Sequence, residues 1–261
     1  QAEIVETARG CAEGCAAAGV SRLLHVSSIA VYGRPRPRRE LVTEAEPLCQ
    51  NLWWRDYYCR AKSLAEQEAR RFGEGLTIVR PTWTFGPRDR NSLPRIVRKV
   101  RRGRMPLVGR GDNFLNVVFA ADVAEGAIRA ASSPAAAGQV FHLASEGQIT
   151  QREFVNALAQ LLGLAPVTRR VPVAVAFWGG LAAELVAHAL RRPHPPFVTR
   201  HAVALLGRPA QFSIAKARQQ LGWQPSVPPR DGLRQTLLWM RRYQPELVGN
   251  AALADTAASP A

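Results

Sequence analysis

Tyr58 and Lys62 are the two residues whose types and spacing point most directly to chemistry. Positions four apart on a helix share a face, so the phenol and the ammonium lie on one side. A phenol ionises near pH ~10 and is a poor base at neutrality, whereas an ammonium beside it favours the phenolate. Tyr57 is adjacent, but its fourth neighbour is Ala61, which leaves Tyr58 as the candidate acid–base group. Alone, a Y-x-x-x-K spacing reads better as two solvated helix residues, so its surroundings decide its weight. Upstream, Ser27 and Ser28 end a short apolar run and lead into Ile29-Ala-Val-Tyr-Gly33. Downstream, Arg80-Pro-Thr-Trp-Thr-Phe-Gly-Pro87 follows a second such run. α/β sheets bind ligands at the carboxyl ends of their parallel strands. A hydroxyl of Ser27-Ser28, the Tyr58/Lys62 pair and the proline- and glycine-bearing loop up to Pro87 are therefore expected at one crevice.

The elements that must hold these residues alternate. Residues 3–18 predict a helix with Ile4, Val5, Cys11 and Cys15 on a buried face, closed at Gly19. Residues 22–28 predict a strand, Gly33 a sharp turn, and the proline-bearing stretch up to residue 50 a polar loop. A helix over 57–72 ends at Gly73, and a strand over 76–80 is stopped by Pro81. A helix over 93–102, a strand over 114–119, a helix running to residue 131 and a strand over 139–144 follow. Asp122-Val-Ala-Glu125 reads as a capping box opening that last helix, which makes Asp122 a helix cap rather than a catalytic carboxylate. Strands alternating with helices predict an α/β fold with a mostly parallel sheet. After Thr150 the strands thin out, and helices are expected over 152–162 (with a second capping box at Thr150 and Glu153), 213–221 and 230–243.

Composition narrows the class. With 47% apolar and 21% charged residues, the 261-residue chain can bury a core, which excludes wholesale disorder. Cys11, Cys15, Cys49 and Cys59 form no C-x-x-C pair, which excludes a disulfide scaffold and a cysteine zinc site and fits a reducing compartment. The net charge is +15, and all but three of the 35 basic residues are arginine. The densest basic stretch, residues 95–104, is interleaved with aliphatics at helical spacing. It reads as a helix with one solvated basic face rather than a nucleic-acid patch. Residues 171–190 are mostly apolar, but Gly179-Gly180, Glu184 and His188 interrupt them. A bilayer-spanning helix is not expected there. Core packing, a wall near a substrate pocket and a helix resting on a membrane surface remain as readings.

Four segments together resemble the extended short-chain dehydrogenase/reductases, the NAD-dependent epimerase/dehydratase family. They are His25-Val-Ser-Ser-Ile-Ala-Val-Tyr-Gly33, Tyr58-x-x-x-Lys62-x-x-x-Glu66, Val79-Arg-Pro-x-x-x-Phe-Gly-Pro87 and Phe119-Ala-Ala-Asp-Val-Ala124. Their order and spacing match over residues 4–243. The resemblance implies a Rossmann-type doubly wound parallel sheet, incomplete here, with a smaller, mostly helical C-terminal substrate domain. It also implies NAD or NADP as cofactor. By position, Ser28 matches the serine that holds the substrate oxygen, Tyr58 the general acid/base, and Lys62 the lysine that holds the nicotinamide ribose and tunes the tyrosine. Pro81 and Thr82 match the loop over the nicotinamide, and Ser27 looks structural.

Residues 91–97, 103–109 and 212–223 and the apolar stretch after Val171 resemble the 3β-hydroxysteroid and sterol dehydrogenase branch, which implies a small apolar alcohol or ketone as substrate. A nucleotide-sugar epimerase or dehydratase, and a non-catalytic dinucleotide sensor or scaffold, are the competing readings. The family's opening Gly-rich turn, where pyrophosphate meets a helix N-terminus, follows no strand in this sequence. The first third of the cofactor domain is therefore expected to be missing from the chain, and with it the residue that selects NAD or NADP. The expected domains are residues 1–150 for the partial dinucleotide-binding domain, with 88–115 in the substrate lobe, 151–246 for substrate binding, and 247–261 as a disordered tail. No nucleic-acid partner is expected. Peripheral membrane contact through 171–190, a homodimer, and a cytoplasmic or membrane-associated location complete the expectations.

Overall fold

The computed structural model describes residues 2–33, 41–52, 56–90, 92–146, 149–190, 199–200, 203 and 210–249. In chain order the elements are α1 (Ala2–Ala17), β1 (Leu23–Val26), α2 (Tyr57–Ala69), β2 (Leu76–Pro81), β3 (Trp83–Phe85), α3 (Ser92–Arg101), β4 (Leu107–Val108), β5 (Val117–Phe119), α4 (Ala120–Ser132), β6 (Val140–Leu143), α5 (Gln151–Leu161), β7 (Arg170–Val171), α6 (Val173–Ala189), α7 (Ala215–Leu221), α8 (Pro229–Tyr243) and α9 (Pro245–Val248). Short 3-10 turns at Ile29–Tyr32, Arg70–Phe72 and Pro134–Ala136 link them.

The main sheet is parallel, in the order β1-β2-β6, with Val26 opposite Val79 and Val79 opposite Phe141. All six residues of β2 are buried, as a strand covered on both faces must be. Side chains alternate across it. Leu76 and Ile78 pack with Ala69, Phe72, Leu23 and Val140 on the α2 face. Val79, Phe141 and Leu143 pack with Ala130 and Trp223 on the other, where Leu24 and Val123 join them. Helices therefore cover both faces, the doubly wound arrangement. The α/β expectation holds, and each predicted strand boundary lies within three residues of the observed one. Pro81 extends β2 by one residue because a terminal ladder position can spare its missing N–H.

The chain divides into two compact units. The first holds Gln1–Thr84, Asn116–Glu146 and Ala210–Ser226, and the second holds Phe85–Leu115, Gly147–Pro209 and Val227–Ala261. Residues 210–226, expected in the C-terminal domain, thus pack in the first unit. Val42 N donates to Gln211 O and Ser213 N to Val42 O, and the fully buried Trp223 donates its indole N–H to Asp122 O. In the second unit, α3 buries Leu93, Ile96, Val97 and Val100 and leaves Arg98 and Arg101 at its surface, so the basic run is a helix with a solvated basic face. Asp89 opens it by accepting from Ser92 N and Leu93 N. The Thr150/Glu153 box forms as expected, with Glu153 N donating to Thr150 Oγ1 and Thr150 N to Glu153 Oε2.

Three expectations fail, and one of the open readings of residues 171–190 is set aside. Ala8 and Ala12 carry the buried stripe of α1, and Cys11 faces solvent. Alanines, small enough for the close approach of α1 to α2, line that stripe in place of larger side chains. Asp122 is no cap: α4 starts at Ala120, and the buried Asp122 carboxylate accepts from Ser226 N (3.1 Å) and Ser226 Oγ (2.7 Å), while Glu125 pairs with Arg129. The residues 171–190 do not pack as a core helix. Gly180 alone is buried in α6. Finally, Leu247 and Val248, assigned to a disordered tail, are buried in α9, whose last carbonyls accept from Arg101 Nη1. The rest of that tail, 250–261, lies outside the described residues.

Candidate active site

Ser28 stands two residues past the end of β1, where Ser27 N still donates to Val79 O of the neighbouring strand. Its hydroxyl accepts from Ala30 N at 3.2 Å and so caps the Ile29–Tyr32 turn, which leaves the hydroxyl proton for another acceptor. Gly33 closes the turn at φ +70°, and a Cβ there would lie 2.4 Å from Gln50 O, so only glycine fits. Pro81 and Thr82 end the adjacent strand, both buried, with Thr82 N held by Leu143 O. The carboxyl ends of β1 and β2 thus place Ser28 beside the Pro81–Thr82 step.

α2 brings the third part. Tyr58 lies in its first turn and is 45% exposed, so its hydroxyl can be reached from outside. Lys62 is half-buried one turn later. α2 packs against the Ser28-capped turn, where Cys59 Sγ donates to Val31 O at 3.6 Å. Burial holds the Lys62 ammonium below its ordinary pKa, with Glu66 opposing the shift. Burial lowers the His25 imidazole on β1, with Glu66 opposing the shift and Lys62 adding to it. Among the described residues, His25 Nε2, Ser27 Oγ and Ser145 Oγ are buried with no hydrogen-bond partner. All three belong to the carboxyl ends of main-sheet strands or the residues just past them.

Beneath this edge runs a buried polar chain to which the sequence reading gave no role. Arg80 donates Nε to Glu66 Oε1 (2.9 Å) and Nη2 to Glu66 Oε2 (2.6 Å), and both side chains are essentially inaccessible. Arg80 Nη1 donates to Tyr32 OH (2.6 Å), which meets His142 Nε2 at 2.5 Å. His142 Nδ1 lies 3.1 Å from Ser213 O. One proton arrangement satisfies every member: Nδ1–H donates to the carbonyl, and Nε2 accepts from the phenol. Burial pushes the His142 imidazole down to about 3, and the Arg80 charge adds to the effect after the opposing Ser213 contact. His142 is therefore neutral, and its 3.9 Å approach to Glu44 Oε1 is no ion pair. Burial also raises the Tyr32 phenol, which rules out Tyr32 as the base. A visible signal for this chain existed: Arg80 interrupts an apolar strand, and Glu66 lies one turn beyond Lys62.

Residues 3–144, more than half of the chain, match the model of the NAD dependent epimerase/dehydratase family. The chain is 24% identical over 245 residues to the 2-alkyl-3-oxoalkanoate reductase of Shewanella oneidensis, covering 88% of this chain and 62% of that protein. It is 28% identical over 242 residues to the protein of the same name from Stenotrophomonas maltophilia, covering 90% of this chain and 72% of that one. The crystal structure of gox2253 superposes with a TM-score of 0.71 at 27% identity, covering 92% of this chain and 72% of that one. A family model that matches residues 3–144, more than half of the chain, places it in the NAD dependent epimerase/dehydratase family.

Proposed function

We propose that the protein is an NAD(P)-dependent oxidoreductase interconverting a secondary alcohol and a ketone. The observation that carries this reading is that α2, which bears Tyr58 and Lys62, packs against the turn that Ser28 caps at the end of β1. The residues present fit the nicotinamide-ribose end of such a cofactor: Lys62 and Tyr58 offer an ammonium and a hydroxyl one turn apart, and the partnerless Ser27 hydroxyl lies at the same edge. Pro81 and Thr82 would cover the ring. No residue here is assigned to the pyrophosphate, since no Gly-rich turn follows a strand in this sequence. When bound, the nicotinamide supplies or takes the hydride. Tyr58 exchanges the proton of the substrate oxygen, Ser28 holds that oxygen by donating its hydroxyl proton, and Lys62 favours the phenolate.

The substrate in this reading is apolar, of alkyl-ketone or steroid type. Two relatives carry the name 2-alkyl-3-oxoalkanoate reductase. Nicotinamide absorbance, followed on the protein with 2-alkyl-3-oxoalkanoates, hydroxysteroids and nucleotide sugars, tests it. Turnover with the apolar carbonyls is expected. Turnover confined to nucleotide sugars would establish an epimerase or dehydratase instead, and cofactor binding without turnover on any substrate a sensor.

A second feature favours peripheral membrane contact through α6. Val175, Trp178, Leu185 and Val186 are 60, 62, 45 and 54% exposed and follow one another at helical spacing. Arg169 and Arg170 flank the helix, and the chain carries +15. An uncharged stripe with basic flanks and an interfacial Trp suits the surface of an anionic bilayer. No helix among the described residues is long and apolar enough to cross one. Flotation with phosphatidylserine-containing vesicles is expected for the parent and lost in Phe177→Ser/Trp178→Ser. A parent that stays at the bottom of the gradient, or a variant that floats equally well, refutes the contact.

A further inference from the structure

Two of the four cysteines come together in the first unit. Cys49 Sγ and Cys59 Sγ are 4.0 Å apart, in contact and with no other side chain needed to bridge them. Both residues are anchored to the same carbonyl: Cys49 N donates to Val31 O at 2.8 Å and Cys59 Sγ to Val31 O at 3.6 Å. Cys49 is held at φ +57°, a left-handed conformation that a non-glycine residue rarely adopts. Gln50 N donating to Tyr32 O fixes the next residue, and the loop holds the Cys49 thiol in contact with Cys59 on α2. The two thiols differ in access. Cys59 is 1% exposed, whereas Cys49 is half-buried and is the sulfur an external reagent reaches first. The other two, Cys11 and Cys15, lie on α1.

From this geometry we propose that Cys49 and Cys59 are a reversible oxidation site that a hydroperoxide converts to a disulfide. Cys49, as thiolate, attacks the peroxide oxygen. The O–O bond breaks, a sulfenic acid forms on Cys49, and the peroxide leaves as an alcohol or water after taking up a proton. The Cys59 thiol then displaces the sulfenic hydroxyl. The S–S bond forms, water leaves, and the two thiols have given up two electrons and two hydrogens to the peroxide. Burial, and next the Cys49 charge beside it, raises the Cys59 thiol, which keeps it protonated until the sulfenic acid is formed. That order makes Cys49 the reactive partner and Cys59 the resolving one.

The sulfurs must close from 4.0 Å to the ~2.05 Å of a disulfide, so one of the two anchors must shift. Cys59 follows Tyr58 in the first turn of α2, and Val31 belongs to the turn that Ser28 caps. Oxidation therefore ties the loop covalently to the helix turn that bears Tyr58. The consequence for turnover rests on reading Tyr58 as the acid–base group, but the chemistry at sulfur does not.

Non-reducing peptide mapping of the folded chain after graded hydrogen peroxide tests the site. Trypsin cuts after Arg55 and Arg60 and so separates the two cysteines, which makes the bond visible as a cross-linked peptide pair. The expected result is a Cys49–Cys59 pair in monomeric protein, erased by dithiothreitol. Cys59→Ser should trap the Cys49 sulfenic acid for dimedone labelling, and Cys49→Ser should leave Cys59 a free thiol at the same dose. Cross-links confined to Cys11 or Cys15, or a Cys49–Cys59 pair that forms only after denaturation, overturns the proposal. Where turnover is measurable, a dithiothreitol-reversible loss that Cys49→Ser escapes is expected. If the cross-link forms and turnover does not change, the site stands and its link to Tyr58 falls.

Discussion

Replacing Tyr58 with Phe is expected to lower kcat by about 10²- to 10⁴-fold, the range a positioned general acid–base group supplies. The hydroxyl is the only part removed, and Tyr58 is 45% exposed, so the fold should be indifferent to the change. Cofactor Kd should stay within a few-fold, because the aromatic ring and Lys62 remain. Lys62→Met should behave differently, damaging turnover and cofactor affinity together, since one ammonium is assigned both tasks. Its half-buried position and lowered pKa fit a group held against the sheet rather than one waving in solvent. Steady-state kinetics beside calorimetric cofactor titration separate the two signatures. A Tyr58→Phe protein that keeps a rate close to the parent's would transfer the proton step to another group.

Replacing Arg80 with Met is expected to be the most destabilising single change in the first unit. It leaves the Glu66 carboxylate at 0% exposure without its guanidinium, and removing one partner of a buried pair costs about 3–5 kcal/mol. For a chain of this size each kcal/mol moves Tm by roughly 2–4 °C, so a fall on the order of 10 °C should appear in a thermal melt. The double variant Glu66→Met/Arg80→Met should recover a large part of that loss, because no unpaired charge then stays inside. Some deficit should persist, since Tyr32 OH and Glu44 O lose the donor that Arg80 supplied. An Arg80→Met protein that melts with the parent would mean the pair contributes nothing net.

The pair also explains how the site is held. Arg80 immediately precedes Pro81, and Glu66 lies one turn beyond Lys62. A bidentate bond between them pins α2 to the end of β2, so Lys62 and the Pro81–Thr82 step are set by one rigid contact. A mobile helix would not keep a phenol and a serine hydroxyl within reach of one substrate oxygen.

The sequence by itself determined the alternation of elements, because hydrophobic period and glycine positions are local. Gly19, Gly33 and Gly73 adopt the positive φ that ends a helix or turns the chain. It also determined the Ser28, Tyr58 and Lys62 candidates, since spacing on one helix and position at a strand end need no tertiary information. The Thr150 box was legible for the same reason, as both of its bonds span three residues. Tertiary structure decided the rest. Asp122 and Glu125 have the same local pattern as Thr150 and Glu153, yet Asp122 serves Ser226, 104 residues away, because α4 begins earlier, at Ala120. Trp223 and Phe212 fill the first unit's core although they follow the whole of α5 and α6 in the chain. α6 is as apolar as a core helix, and only packing reveals that Trp178 and Val175 stay exposed. The Glu66–Arg80–Tyr32–His142 chain joins four separate elements, and the closeness of Cys49 to Cys59 depends on one backbone carbonyl at Val31. Such contacts depend on which distant surfaces the sheet order brings together, and local spacing carries no record of that order.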